Sequence, residues 1–394
     1  MMNTHRLKPK KVSKHASLCS MFLVLIGFQV YYFYLAGTHG HGHEASEVAN
    51  PSFSSCVRNS NYNFTEWQPY TNYTWSVMST IQIEETQPSG FASRCDWVIG
   101  SRPVGWNRLP KNTAWGTPEK LPKTVFVQTE GLQQFNDKLL PCFPANHRFV
   151  LIIGDHDGTT PKQLDARYAA SYITEKDWQA WLKDSRIAHL FVENLDTISP
   201  RKRVTPIPLG LNPDDHWINN KMDPDQLFFS APTTVNITAK PIRVAFTNRI
   251  RTNSRQWADR ALAMQICSEL PHCDVHANLT RISFIETIQK YPFLLCIHGG
   301  GIDPNPNLFT ALLAGVIPII APFPGDFMYS GMPVMFIDAN WNRLGTTLLS
   351  PKHLAEKKNE LSVYFEDAEK RAEVLNKLSS QYWWNQVEAH LKEG

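Results

Sequence analysis

Strand and helix patterns alternate in two successive blocks, which predicts an α/β protein built on parallel sheets. Two stretches carry that expectation. In residues 291–324 an apolar run (293–297), the glycines Gly299, Gly300 and Gly301, a helix-period run and a second apolar run (316–320) follow without a break. In residues 149–158 an apolar run ends in Gly154, Asp155, His156, Asp157 and Gly158. A third observation sets the context: residues 18–36 form an uncharged, largely apolar run near the N-terminus.

The helix within 291–324 is expected to open near Asn305 and Pro306, to carry Leu308, Leu312 and Leu313 on one face, and to end at Gly315. Strand, turn, helix and strand together make a βαβ unit, which holds ligands at the carboxyl ends of its strands. Small residues in the turn let backbone N–H groups approach an anion or a ribose closely. No Lys-Ser or Lys-Thr follows the glycines, and Asp303 and Pro304 interrupt a GxGxxG spacing. A nucleotide cradle and a plain tight turn both fit these residues.

At 394 residues the chain is long enough for two domains, and 42% hydrophobic with 19% charged residues is ordinary globular composition. Five of the 39 basic residues, Arg6, Lys8, Lys10, Lys11 and Lys14, precede the apolar run, leaving 34 basic against 36 acidic residues in the body. Nucleic acid is therefore not an expected partner. At 1.5 Å per residue, 18–36 nearly spans a hydrocarbon core of about 30 Å, and the basic residues before it place the N-terminus in the cytoplasm. The length of the run, the long leader and the absence of a small-x-small site favour an uncleaved anchor over a signal peptide.

Residues 37 to about 90 are rich in Ser, Asn, Thr, Gly and His, as a stem would be. His39, His41 and His43 alternate there with glycine, a tract that is either a polar tether or a transition-metal binder. Four sequons, at Asn63, Asn72, Asn236 and Asn278, fit a secretory-pathway lumen. Of seven cysteines Cys19 lies in the apolar run; the other six allow 15 disulfide connectivities, and Cys296 also reads as a small core residue.

The first block is expected to hold strands at 124–128, 149–153, 187–192 and 204–208 and a helix at 164–182. Asp155, His156 and Asp157 then stand at a strand's carboxyl end, where they read as a turn, as a general base for an acceptor hydroxyl, or as a divalent-metal site. The second block begins near residue 241 with a strand at 242–246 and a helix at 255–270 capped by Asn253 or Ser254. Arg249, Arg251 and Arg255 cluster at that helix N-terminus, either as a diphosphate site or as a solvated basic loop. Strands at 274–277 and 334–337, a helix at 282–289 and one or two helices over 351–378 complete the block. Trp383 and Trp384 are expected to pack the last helix against the body.

Gly299, Gly301, Asp303, Ala311, Leu312, Gly315, Ile317, Pro318 and Ile319 resemble the donor-binding segment of exostosin-like glycosyltransferases. Residues 189–196 and 204–211 resemble the end of the first domain in such enzymes. That resemblance implies two facing Rossmann-like domains in the GT-B arrangement: 123–240 on the acceptor side, and 241–394 binding the donor with the terminal helices. Ahead of them come a cytoplasmic tail (1–17), the anchor (18–36) and a stem with extension (37–122). It implies a single-pass type II enzyme of the Golgi or endoplasmic reticulum that passes a sugar from a nucleotide sugar to a glycan or glycoprotein, with no metal cofactor required. His298, Gly299, Gly300, Gly301, Asp303, Asn307 and Thr310 would join the three arginines around the donor. Asn307 and Thr310 stand where the family often carries Arg and Glu, which motivates an alternative: a catalytically silent lumenal binding or scaffold protein with the same fold.

Overall fold

Every strand in the centre of the fold is buried on both faces, because each of the two larger, mainly parallel sheets is covered above and below. The computed structural model describes residues 51–66, 78, 83–84, 87–88, 90–100, 113–155, 157–164, 171–198, 200, 202–211, 224–250, 258–299, 301–337 and 348–392. All of them belong to one compact unit, Val48–Gly394. The expected anchor at 18–36, the histidine tract, Asn72, His156, Arg251, Arg255 and Gly300 lie outside the described residues. Among the described residues no helix is long and apolar enough to cross a membrane.

The first lobe contains α1 (Pro51–Asn59), β1 (Asn63–Thr65), β2 (Ile83–Glu84), β3 (Gln87–Pro88), β4 (Trp97–Gly100), β5 (Thr113–Trp115) and β6 (Thr124–Gln128). It continues through α2 (Leu132–Lys138), β7 (Phe149–Gly154), α3 (Glu175–Trp181), β8 (Ile187–Val192) and β9 (Val204–Pro206). Seven strands form one sheet in the order β1-β5-β4-β6-β7-β8-β9, parallel throughout except where β4 meets β5. The region expected to be stem and extension thus contributes three strands, β1, β4 and β5, to this sheet. Polar composition concealed them, because β1, β4 and β5 are only three or four residues long. The helix expected at 164–182 is also shorter, since Thr174 caps α3 by accepting a hydrogen bond from the Asp177 N–H at 3.1 Å.

The second lobe runs α4 (Pro224–Phe229), β10 (Val244–Phe246), α5 (Ala258–Glu269), β11 (Cys273–Val275), α6 (Arg281–Ile288), β12 (Phe293–Leu295), α7 (Asn307–Leu313), β13 (Ile317–Ile320) and β14 (Met335–Phe336). Its five strands are all parallel, in the order β11-β10-β12-β13-β14. The chain then forms α8 (Pro351–Leu361), α9 (Val363–Glu366), α10 (Ala368–Lys377) and α11 (Ser380–Lys392), so 351–378 holds three helices where one or two were expected. Ser362 and Asp367 are the junctions, and the Asp367 carboxylate caps α10 by accepting from the Glu369 and Lys370 N–H groups.

Period-two alternation divides the first sheet between two cores. Val125, Val127, Leu151 and Ile153 face one side, while Phe126, Val150, Ile152 and Phe191 face the other. The second face is covered by α11, the end of the chain, which carries Trp383, Trp384 and Val387 into the same core as the second lobe. Trp384 meets Phe91 edge to face at 5.6 Å, and His390 stacks on His189 with centroids 3.7 Å apart. The terminal helices are therefore not confined to the donor half of the chain.

Two disulfides form among the described residues. Cys56–Cys142 joins α1 to the turn after α2 across 86 residues, and Cys267–Cys273 closes a short loop between α5 and β11. Cys95 and Cys296 are in neither disulfide and are buried in the core. Because the long loop restricts the unfolded chain most, replacing Cys56 and Cys142 by Ala is expected to cost about 3 kcal/mol, against less for the short loop. Urea unfolding of the two double variants tests this ranking, and equal losses would contradict it.

Candidate functional site at the strand-order reversal of the second sheet

In the second sheet β10 lies between β11 and β12, so the chain leaves β10 in one direction and returns on the other side of it. At such a reversal the loops following the two strands separate and leave a crevice at the carboxyl ends. Here those loops are the one after β10, carrying Arg249, and the one after β12, carrying His298 and the glycines.

A buried polar network holds the two loops together. The Asn248 side-chain amide donates to Leu295 O at 2.8 Å, and the Asn305 amide donates to Asn248 Oδ1 at 3.0 Å and to Ile297 O at 2.5 Å. Arg260, in the first turn of α5, donates from Nε to His298 O at 3.0 Å, from Nη2 to Ile297 O at 3.2 Å and from Nη1 to Arg249 O at 3.1 Å. One guanidinium thus fixes the main chain of both loops. His298 Nε2 lies 3.0 Å from the Asp259 carboxylate, while His298 Nδ1 and the Thr247 hydroxyl are buried polar atoms without a hydrogen-bond partner among the described residues. The Arg249 side chain is exposed, and Gly299 and Asn307 are half-buried. Positive charge and the N-terminal end of α5 therefore meet where the two strand ends diverge.

Two residues expected at this site face elsewhere. Asp303 is 1% exposed, accepts the Tyr329 hydroxyl at 3.2 Å on each carboxylate oxygen, and is held well above its ordinary pKa by burial. Thr310 is fully buried on α7, where its hydroxyl accepts from Arg281 Nη2 at 2.8 Å. Neither side chain reaches solvent: Thr310 lies on the face of α7 that meets Arg281 of α6, and Asp303, in the loop before α7, lies against the Tyr329 hydroxyl.

At the carboxyl edge of the first sheet Asp155 also turns inward. It is 7% exposed with a left-handed φ of 58°, accepts from Gln128 Nε2 at 2.8 Å, and donates its own N–H to Glu193 Oε2 at 2.8 Å. Asp157 is exposed. The neighbouring loop is tied down by Asp196, whose carboxylate accepts from the Thr159 hydroxyl at 2.6 Å and from the Lys162 and Gln163 N–H groups. Among the described residues no group of three or more His, Cys, Asp or Glu side chains is placed to hold a metal ion. Asn63, Asn236 and Asn278 are all exposed.

No protein-family model matches the chain, and no curated protein matches it. Solved structures do match in shape. A glycosyltransferase from Rickettsia africae ESF-5 is 11% identical over 65% of this chain and 76% of its own, with a TM-score of 0.32. TarM is 8% identical over 68% of this chain, which spans 54% of TarM, with a TM-score of 0.36. Anabaena HepE, solved with UDP and glucose, is 10% identical over 69% and 76% of the two chains, with a TM-score of 0.31. None of these matches confirms the exostosin-like resemblance.

Arg260, Asp259 and Asn248 were not expected at the site, and Asn305 was expected only as a helix start. Arg260 had one available signal, an arginine just inside the helix that follows the first strand of the block. Nothing in its neighbourhood marks it as inward-pointing, since a basic residue in a helix is ordinarily solvated.

Proposed function

We propose that this chain transfers a sugar from a nucleotide-activated donor to a glycan or glycoprotein acceptor, with the donor diphosphate seated between the loops after β10 and β12. One observation carries this reading: Arg260 locks both loops at the strand-order reversal, leaving the Arg249 cation and the α5 N-terminus beside the crevice. Fixed positive charge of that kind stabilises a diphosphate as it departs. The acceptor would lie across from it, at the carboxyl edge of the first sheet, where Asp157 offers an exposed carboxylate to take the hydroxyl proton and His156 is its neighbour in sequence. The apolar run at 18–36 and the sequons support a place in the Golgi or endoplasmic reticulum membrane, with the folded part in the lumen.

Calorimetric titration with UDP, GDP and CDP, followed by a donor-hydrolysis assay on whichever binds, tests the proposal. Arg249→Ala is expected to weaken binding about tenfold, since one charge-assisted hydrogen bond to phosphate contributes roughly 1.5 kcal/mol. Unchanged affinity in that variant would remove the diphosphate from this crevice. The inward positions of Thr310 and Asp155 favour a second reading, a lumenal binding protein without turnover. Nucleotide binding without hydrolysis or transfer of any donor would establish it.

A further inference from the structure

The two lobes meet on a seam of buried side chains that the nucleotide crevice does not use. From the first lobe, Asn194 follows β8 with a left-handed φ of 49°, and its Oδ1 accepts the N–H groups of Ile302 and Asp303, each at 3.1 Å. From the second lobe, Gly301 lies flat against the same amide, in a left-handed conformation with φ of 60°. Beside this contact Glu193 and Asp303, 3% and 1% exposed, come from opposite lobes. Glu193 accepts the Asp155 N–H, and Asp303 accepts the Tyr329 hydroxyl; no ion pair reaches either carboxyl among the described residues.

We propose that the seam is a proton-dependent clamp: a proton resident on the Glu193 and Asp303 carboxyls holds the lobes together, and its loss loosens the loop that carries Gly301. Two buried carboxylates from opposing surfaces repel when both are ionised, and neither can be hydrated while the seam is closed. Hydrogen bonds from the Asp155 N–H to Glu193, and from the Tyr329 hydroxyl and Leu209 N–H to Asp303, favour the ionised forms, but the titratable groups acting on the pair are acidic. Asp155, after β7, acts on Glu193 as a like charge; Tyr329, from the turn Asp326–Tyr329, and Cys296, at the end of β12, are neutral acids that deprotonation would only make more repulsive. Arg260 acts on Cys296 and gives its guanidinium to main-chain carbonyls. Burial foremost, then the neighbouring charges, raises the Glu193 pKa well above its ordinary value, and burial raises that of Asp303.

The direction follows from proton linkage. Carboxyls whose pKa is raised on folding bind more protons folded than unfolded, so their contribution to stability falls as pH rises from the ordinary carboxylate range toward the raised values. His189, whose pKa burial holds down to about 3, acts oppositely below its ordinary value of 6.5, but it does so equally in seam variants. The clamp therefore appears as a difference between proteins at matched pH.

Thermal melting and hydrogen exchange of the full chain, at about pH 5.5 and about pH 8.5, test the clamp. Glu193→Gln and Asp303→Asn each mimic the protonated carboxyl, and both are expected to melt higher than wild type at the upper pH by about 2–4 °C, with no gain at the lower. Exchange of the Ile302 and Asp303 amides in wild type should accelerate with pH beyond the chemical rate, and this excess should vanish in Glu193→Gln. Identical pH slopes in all three proteins would overturn the clamp, as would seam amides that follow the chemical rate alone. Tyr329→Phe, which leaves both carboxyls in place, should keep the wild-type pH slope, because the phenol stays protonated across this range; loss of the slope there would overturn the assignment to the carboxyls. None of these readouts depends on the sugar or on nucleotide binding.

Discussion

Gly301→Val is expected to cost about 4 kcal/mol and to abolish nucleotide binding, although residue 301 itself is buried rather than lining the crevice. Gly301 has a φ of 60°, where a β-branched residue is strained, and any Cβ built there overlaps the side-chain amide of Asn194. The strained backbone contributes about 1–3 kcal/mol and the overlap a similar amount, because Asn194 cannot retreat without releasing the Ile302 and Asp303 N–H groups. Gly331 provides the control. Its φ is 70°, but a Cβ there meets only the end of the Lys377 side chain, at 2.9 Å. Gly331→Ala should thus show the backbone cost alone, about 1 kcal/mol, with nucleotide affinity intact. Chemical denaturation of both variants separates backbone strain from the seam, and similar losses at the two positions would mean that Asn194 is not the obstacle.

Arg371→Leu should destabilise the second lobe by about 5 kcal/mol. This arginine, on α10, is fully buried, and its pKa is lowered to about 10 by burial, so it remains charged at neutral pH. Among the described residues no carboxylate accepts a hydrogen bond from it. It donates from Nε to Pro232 O at 3.1 Å, from Nη1 to Leu312 O at 2.8 Å and from Nη2 to Leu313 O at 3.0 Å. The last two are carbonyls at the C-terminal end of α7, where a cation also opposes the helix dipole, and the guanidinium lies over the Phe365 ring at 5.6 Å. Leucine would fill the volume but remove three charge-assisted hydrogen bonds, each worth about 1.5–3 kcal/mol, and although Leu312 O keeps the Gly315 N–H at 3.2 Å, Leu313 O loses its guanidinium donor in the core. Arg371→Lys keeps the charge but reaches fewer carbonyls, and about half the loss is expected. A loss below about 1 kcal/mol in the leucine variant would show that water enters and satisfies the helix end.

Much of the fold was legible because burial leaves a local record. The strands at Thr124–Gln128 and Ile187–Val192 coincide with expectation, and β7 and β13 differ from it by one residue, since a strand buried on both faces reads as an unbroken apolar run. The helix ending at Gly315 was legible too, because a left-handed residue after a helix selects glycine. The short strands β1, β4 and β5 were not, because three or four residues set no period. At the site, Arg249, His298 and Gly299 could be picked out by type and by position after a strand, whereas Asp303 and Thr310 were picked for chemistry that their burial withholds.

The difference between the two classes is one of range. Hydrophobic period, glycine at a left-handed φ and a capping Thr or Asp act over a few residues, so the chain alone determined two parallel-sheet lobes and the corner between β12 and α7. Which polar groups turn inward was decided by contacts such as Asn194 with Ile302 and Asp303, more than 100 residues apart in the chain. A hydrogen bond of that separation imposes no spacing on its neighbours, so only the folded seam reveals that Glu193, Asn194 and Asp303 serve each other rather than a ligand.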